Sequence, residues 1–135
     1  MLEKFEKSDQ VKKILITSNT LSSSKIILKM KLKKTTHQFF PIDNDFIVKK
    51  FINHWKPSMA LFIDSEIWPN MLINLNKKKI PVVLINARIT RKSYERWIKI
   101  KSFSKFLFSK IDLCLCSNKK TLNFVKKLGA KNIRY

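Results

Sequence analysis

Glycine is almost missing from this chain: Gly129 is the only one in 135 residues. A phosphate cradle needs several glycines, because the backbone must approach the phosphate closely or adopt positive φ. No Walker loop and no G-x-G-x-x-G dinucleotide site can therefore exist within these residues. A nucleotide donor, if one is used, is held mostly elsewhere. Cysteine is scarce too, with Cys114 and Cys116 alone. They alternate with Leu113 and Leu115, so on a strand they share a face, where neighbouring positions are badly placed for a disulfide. They read as buried thiols, which fits a reducing compartment. His37 and His54 are isolated and complete no metal-ligand spacing, so no metal, cofactor or histidine chemistry is expected. No stretch approaches the ~20 apolar residues of a membrane span. The opening MLEKFEKSDQVKK has no apolar core of a signal peptide.

Carboxylates are the other shortage: 9 Asp+Glu stand against 29 Lys+Arg, a formal charge of +20. Such a surface attracts polyanions, whether nucleic acid, anionic membrane or a phosphorylated substrate. Lys, Ile and Asn are abundant together, so a biased base composition that decorates solvated faces is the competing source. A nucleic-acid module would need a reader, and the chain has no zinc finger, no aromatic-glycine strand and no G-x-x-G clamp. No nucleic-acid partner is expected. The hydrophobic fraction of 44% and charged fraction of 28% are those of a folded domain, and the length suits one core.

Short apolar runs alternate with amphipathic ones. Lys13–Thr17 reads as a strand following a charged lead, itself readable as a helix tail. Thr20–Ser24 supply hydroxyl caps for a helix to about Lys33. His37–Ile42 is a second strand, and Asp43–Asp45 offer caps for a helix carrying Phe46, Val48, Phe51, Ile52 and Trp55. Met59–Ile63 and Ile80–Ile85 are continuously apolar strands, as expected where a sheet is covered. Between them Pro69–Lys78 is helical, with proline in the first turn. Arg91–Lys110 holds one long helix or two shorter ones. Leu113–Cys116 is a strand, Ser117 caps a helix to Leu128, Gly129 stops it, and Ile133–Tyr135 begins a last strand. The alternation predicts an α/β domain: a Rossmann-like parallel sheet with helices on both faces.

In such sheets functional groups gather where strands end and loops lead into helices. Three loops qualify: Ser18–Ser24, Asp64–Asn70 and Asn86–Thr90. Together they hold carboxylates, an arginine, amides and hydroxyls.

Two of these loops carry a family likeness. SEIWPN, followed by KKKIPVVLINARIT, resembles the paired signatures E-[LI]-W-P-N and P-hydrophobic-N-A-R-[LI]-S of the Kdo (3-deoxy-manno-octulosonic acid) transferases. The likeness extends through ILITSNT and HQFFPID upstream and LCSNKKTLNFVKKLGAKNI downstream, close to continuous from Lys13 to Tyr135. It implies a two-lobed GT-B glycosyltransferase with an amino-terminal acceptor lobe and a carboxy-terminal lobe for CMP-Kdo. Residues 1–135 then correspond to a partial acceptor lobe. The family's base glutamate, in a Gly-Glu step, has no counterpart here, nor do the membrane anchor and the donor lobe. The expected partners are a lipid A precursor as acceptor, CMP-Kdo as donor and an anionic membrane surface. The expected workplace is the cytoplasmic face of the inner membrane. On this reading the isolated chain is inactive, a piece or remnant of an inverting transferase in lipopolysaccharide core synthesis.

Within the match, Glu66 takes the motif's second active-site carboxylate, orienting the base and the sugar; capping the Pro69 helix is its other reading. Arg88 suits the phosphates of the acceptor, or an ion pair with Asp64 or Glu66. Asn86 and Asn70 tie loops or contact ligand, and Trp68 packs on a sugar ring or in the core. Thr17, Ser18 and Thr20 meet an anion at a helix start, or simply cap it. Trp97–Ile111 mixes aromatics with lysines, as an interfacial helix on anionic lipid does, and as a core-packing surface helix does.

Overall fold

A computed structural model describes residues 2–135. The chain divides into two compact units, one ending at Pro41 and the other spanning Ile42–Tyr135. Its parallel strands fall into two sheets, one of two strands and one of four.

The first unit holds α1 (Leu2–Lys7), β1 (Ile14–Ser18), α2 (Leu21–Lys29) and β2 (Thr35–Phe39). β1 and β2 pair in parallel, Ile14 opposite Thr35 through Ser18 opposite Phe39. The charged lead does form a helix, and Glu6 ties it down by accepting the Thr35 hydroxyl at 2.9 Å and the Lys34 amide. That backbone donor, with Thr35 beside it, holds the Glu6 carboxyl below its usual range. Thr20 caps α2 by accepting the Ser23 amide at 3.2 Å, as the hydroxyl run suggests. Among the described residues, no apolar side chain of this unit is one of the buried core residues.

The second unit holds the core. It runs α3 (Asp45–Trp55), β3 (Ala60–Ile63), α4 (Pro69–Lys77), β4 (Val82–Ala87), α5 (Arg91–Lys99), α6 (Lys101–Phe108), β5 (Leu113–Cys116), α7 (Lys119–Leu128) and β6 (Ile133–Arg134). The strands lie in the order β3-β4-β5-β6, all parallel. Each connection thus steps one strand the same way, and right-handed crossovers then bring the connecting helices to one face. Burial follows that rule. Phe62, Val82, Leu84, Cys114 and Cys116 are buried, with Met71, Leu72 and Leu75 of α4, Leu107 and Phe108 of α6, and Val125 and Leu128 of α7. The alternate residues Leu61, Ile63, Val83, Ile85, Leu113 and Leu115 are exposed or half-buried.

Local chemistry explains the ends. Asn44 caps α3, accepting the amides of Phe46 and Ile47, and Pro69 opens α4. The cap of α7 is Asn118, which accepts the Thr121 amide at 2.8 Å, rather than the expected Ser117. Ser117 instead donates to the Ala87 carbonyl at 2.9 Å. Gly129 closes α7 at φ 110°, a left-handed position that glycine takes without strain. The Arg91–Lys110 stretch resolves into two helices because the chain breaks at Ile100 (φ −111°, ψ 51°). Buried Ser104 offsets the break by donating to the carbonyls of Trp97 and Ile100. Cys114 and Cys116 share the buried face with sulfurs 3.9 Å apart, both free.

Candidate functional site

The end of β4 is irregular, and the irregularity decides which side chains reach the surface. Val83 and Leu84 pair with Leu113 and Cys114, but Ala87 pairs with Cys116, so β4 carries one residue more than its partner. This is a bulge, and Asn86 within it has φ 54°. Before the bulge the even-numbered residues Val82 and Leu84 are buried; after it the odd-numbered Ala87 and Ile89 are. Asn86 is thereby kept off the core face, and Arg88 is delivered to the surface.

Next to it β3 ends at Asp64, which also takes a left-handed conformation, φ 61°. Asn and Asp are the non-glycine residues that tolerate this best. The two strained residues are tied together: the Asn86 side-chain amide donates to Asp64 Oδ1 at 2.5 Å. The Arg88 amide donates to the Asp64 carbonyl at 3.3 Å, and the Ser65 hydroxyl donates to the Arg88 carbonyl. These bonds fix the β3 and β4 loops as one unit. Arg88 Nε lies 4.0 Å from Asp64 Oδ1 with side chains 66% and 55% exposed, a distance and exposure at which a pair binds weakly. Most of the guanidinium surface therefore faces solvent.

In the same β3 loop Glu66 is exposed and accepts the Trp68 indole N–H at 2.5 Å. This bond ties the carboxylate to the edge of a half-buried indole rather than leaving it to swing. Asn70 has a structural attachment: its side chain donates to the Asp43 carbonyl at 2.6 Å, and its amide donates to Asp43 Oδ2 at 3.0 Å. Asp43 Oδ1 also accepts the Met71 amide at 2.9 Å. So Asp43, expected to cap its own helix, caps the following α4 from across the chain, and its negative charge suits that helix start.

In the first unit, Thr17 lies on β1 opposite Gln38. Ser18 Oγ is 2.8 Å from His37 Nε2, and Thr20 is the α2 cap. The sequence assigns His37 no role; parallel pairing two positions from the strand end is what brings it near Ser18. Within the second unit, Asp64, Ser65, Glu66, Trp68, Asn86 and Arg88 gather at the carboxyl ends of β3 and β4. Sequence reasoning missed the bracing role of Asp43 and the part Asp64 plays beyond an ion pair. The contiguous ID-N-D and LFID-S patterns gave only their loop positions. Among the described residues no group of three His, Cys, Asp or Glu side chains is placed to hold a metal ion.

Parallel β-α-β units with charged and amide side chains gathered at the strand ends define a Rossmann-like lobe of the kind found in glycosyltransferases. The chain belongs to the Kdo transferase family: the family model described as 3-deoxy-D-manno-octulosonic-acid transferase matches residues 1–135. A 3-deoxy-D-manno-octulosonic acid transferase of Rickettsia typhi is 45% identical over 102 residues, 73% of this chain and 22% of the relative. One from Rickettsia bellii is 38% identical over 120 residues, 89% of this chain and 28% of the relative. One from Haemophilus influenzae is 35% identical over 77 residues, 57% of this chain and 18% of the relative. The chain thus spans about a quarter of the length of its Rickettsia relatives.

Proposed function

We propose that these residues form part of the acceptor-binding lobe of a Kdo transferase. The whole enzyme passes Kdo from CMP-Kdo to a lipid A precursor in lipopolysaccharide core synthesis. The observation that carries this reading is the family match over the full 135 residues, with the SEIWPN and INARIT loops meeting at the ends of β3 and β4.

The chemistry is an inverting transfer on a GT-B frame. An acceptor hydroxyl attacks the anomeric carbon, its proton goes to a base, and CMP leaves. Glu66, held by the Trp68 indole, orients the base and the sugar rather than taking the proton. Arg88, tethered by its backbone to the β3 loop and only weakly paired with Asp64 through its exposed guanidinium, receives acceptor phosphate oxygens. The donor is held mainly by residues outside this chain, and the work is done at the cytoplasmic face of the inner membrane. Transfer needs both substrates in one cleft, so the isolated 135-residue chain is inactive.

The test uses two proteins. The purified chain, given CMP-Kdo and a lipid A precursor, should transfer nothing. A chimera in which this chain replaces the aligned stretch of the Rickettsia typhi relative should transfer Kdo. In the chimera, Glu66→Ala should lower kcat about 100-fold, and Arg88→Ala should act mainly on KM for the phosphorylated acceptor. A folded chimera without transfer, or one indifferent to both substitutions, would overturn the reading.

A further inference from the structure

The break at Ile100 divides the aromatic-lysine stretch into two populations. Leu107, Phe108 and Ile111 are fully within the core, and Trp97 packs edge-to-face on Phe108 with ring centroids 5.6 Å apart. Ile100, Phe103 and Phe106 are not: they are 50%, 40% and 46% exposed. Phe103 and Phe106 stand side by side one turn apart, ring centroids 6.4 Å. Core packing therefore accounts for one side of α6 and leaves a second apolar flank in solvent.

What surrounds that flank is of a single sign. From Arg96 to Ile111 there is no carboxylate, while Arg96, Lys99, Lys101, Lys105 and Lys110 fall in the same span. Lys99, Lys101 and Lys105 are exposed, and the Lys110 ammonium lies 4.6 Å from the Phe106 ring centre. An apolar protein partner would leave these cations to be desolvated without counter-charge. A nucleic acid would match the charge, and its bases could stack on the two rings, but it offers nothing to the aliphatic Ile100 that shares the flank. A lipid surface supplies both at once, with acyl chains for Ile100, Phe103 and Phe106 and anionic headgroups for the lysines, whose stems reach outward.

We propose that the Ile100–Phe103–Phe106 flank of α6 is a membrane-docking face that inserts into an anionic lipid surface. It deepens the lipid-acceptor reading by naming the contact, but its test needs no sugar transfer, so either can fail alone.

The chain is mixed with vesicles of phosphatidylcholine alone and of phosphatidylcholine with phosphatidylglycerol, and binding is read by co-sedimentation. Wild type should bind the anionic vesicles and not the zwitterionic ones. Phe103→Ser/Phe106→Ser, which removes only exposed rings, should weaken that binding about tenfold or more, with retention on heparin unchanged. Lys101→Gln/Lys105→Gln should weaken it in a salt-dependent manner. Circular dichroism confirms that each variant is folded. As a second arm, Phe106→Trp should show a blue-shifted emission with anionic vesicles, quenched by brominated acyl chains. Serine variants that bind as wild type, or equal binding to both vesicle types, would overturn the proposal. So would ring-dependent binding of single-stranded RNA stronger than that of vesicles.

Discussion

Among single residues, Cys114 shows most directly how placement sets chemistry. Burial is the main reason its thiol is pushed up to about 12, with Cys116 adding to it; burial raises Cys116 as well. A thiolate is the reactive form, so both should resist iodoacetamide at pH 8 in the folded chain and react once it is unfolded, measured by mass spectrometry. Below the ordinary thiol value of 9.0 both states are protonated and nothing distinguishes them. As pH rises past it, the unfolded chain releases protons that the folded chain keeps, so stability falls from about pH 9 towards pH 12. Cys114→Ala should flatten that decline in urea titrations. The same scale explains the site: Asn86 and Asp64, two residues in left-handed conformations, are held by each other's side chains. Their strain is local and is stabilised locally.

At the level of elements, Gly129 joins α6 to α7. A Cβ on it would stand 2.7 Å from Lys105 Cα and 2.9 Å from the Lys105 carbonyl oxygen, at a φ of 110°. Both backbone strain and overlap act in one direction, so Gly129→Ala should cost about 1–3 kcal/mol in urea unfolding, with a lower midpoint and an unchanged slope. The glycine stop was legible because one glycine after an amphipathic run has few other meanings. The strands and helices were legible for a similar reason, since alternation of apolar runs and caps is a local signal. What was not legible depends on contacts between elements distant in sequence. Asp43 looks like a cap for the helix beside it, yet it bonds the amides of Asn70 and Met71. Ser117 is as good a cap as Asn118 in isolation, and only the Ala87 carbonyl decides between them. The motif residues of the site could be named from the sequence, whereas the ties among Asp64, Ser65, Asn86 and Arg88 require the register of β3 against β4.

For the molecule as a whole, the uneven distribution of core matters most. Among the described residues, every buried apolar side chain, from Val48 to Ala130, belongs to the unit that begins at Ile42. Leu21, Ile26 and Leu28 of α2 are 70%, 63% and 66% exposed. Burial supplies most of the favourable free energy of folding, so the two units should differ in local stability. Amides of β1 and β2 should exchange hydrogen at least tenfold faster than those of β4 and β5, as read by mass spectrometry of the whole chain. Equal protection in both units would contradict this. The +20 charge makes either unit sensitive to salt, so the comparison belongs at one ionic strength.

The extra residue in β4 has a consequence for how this protein can change over generations. Substitutions near it are judged one side chain at a time, but loss of a single codon at Ile85 or Asn86 would be judged on the whole loop. β4 would then match β5 residue for residue, and Ala87 and Ile89 would still point inward. The left-handed step at Asn86 and its tie to Asp64 would go with the extra residue. A shortened strand would keep its core and lose the brace between its two loops.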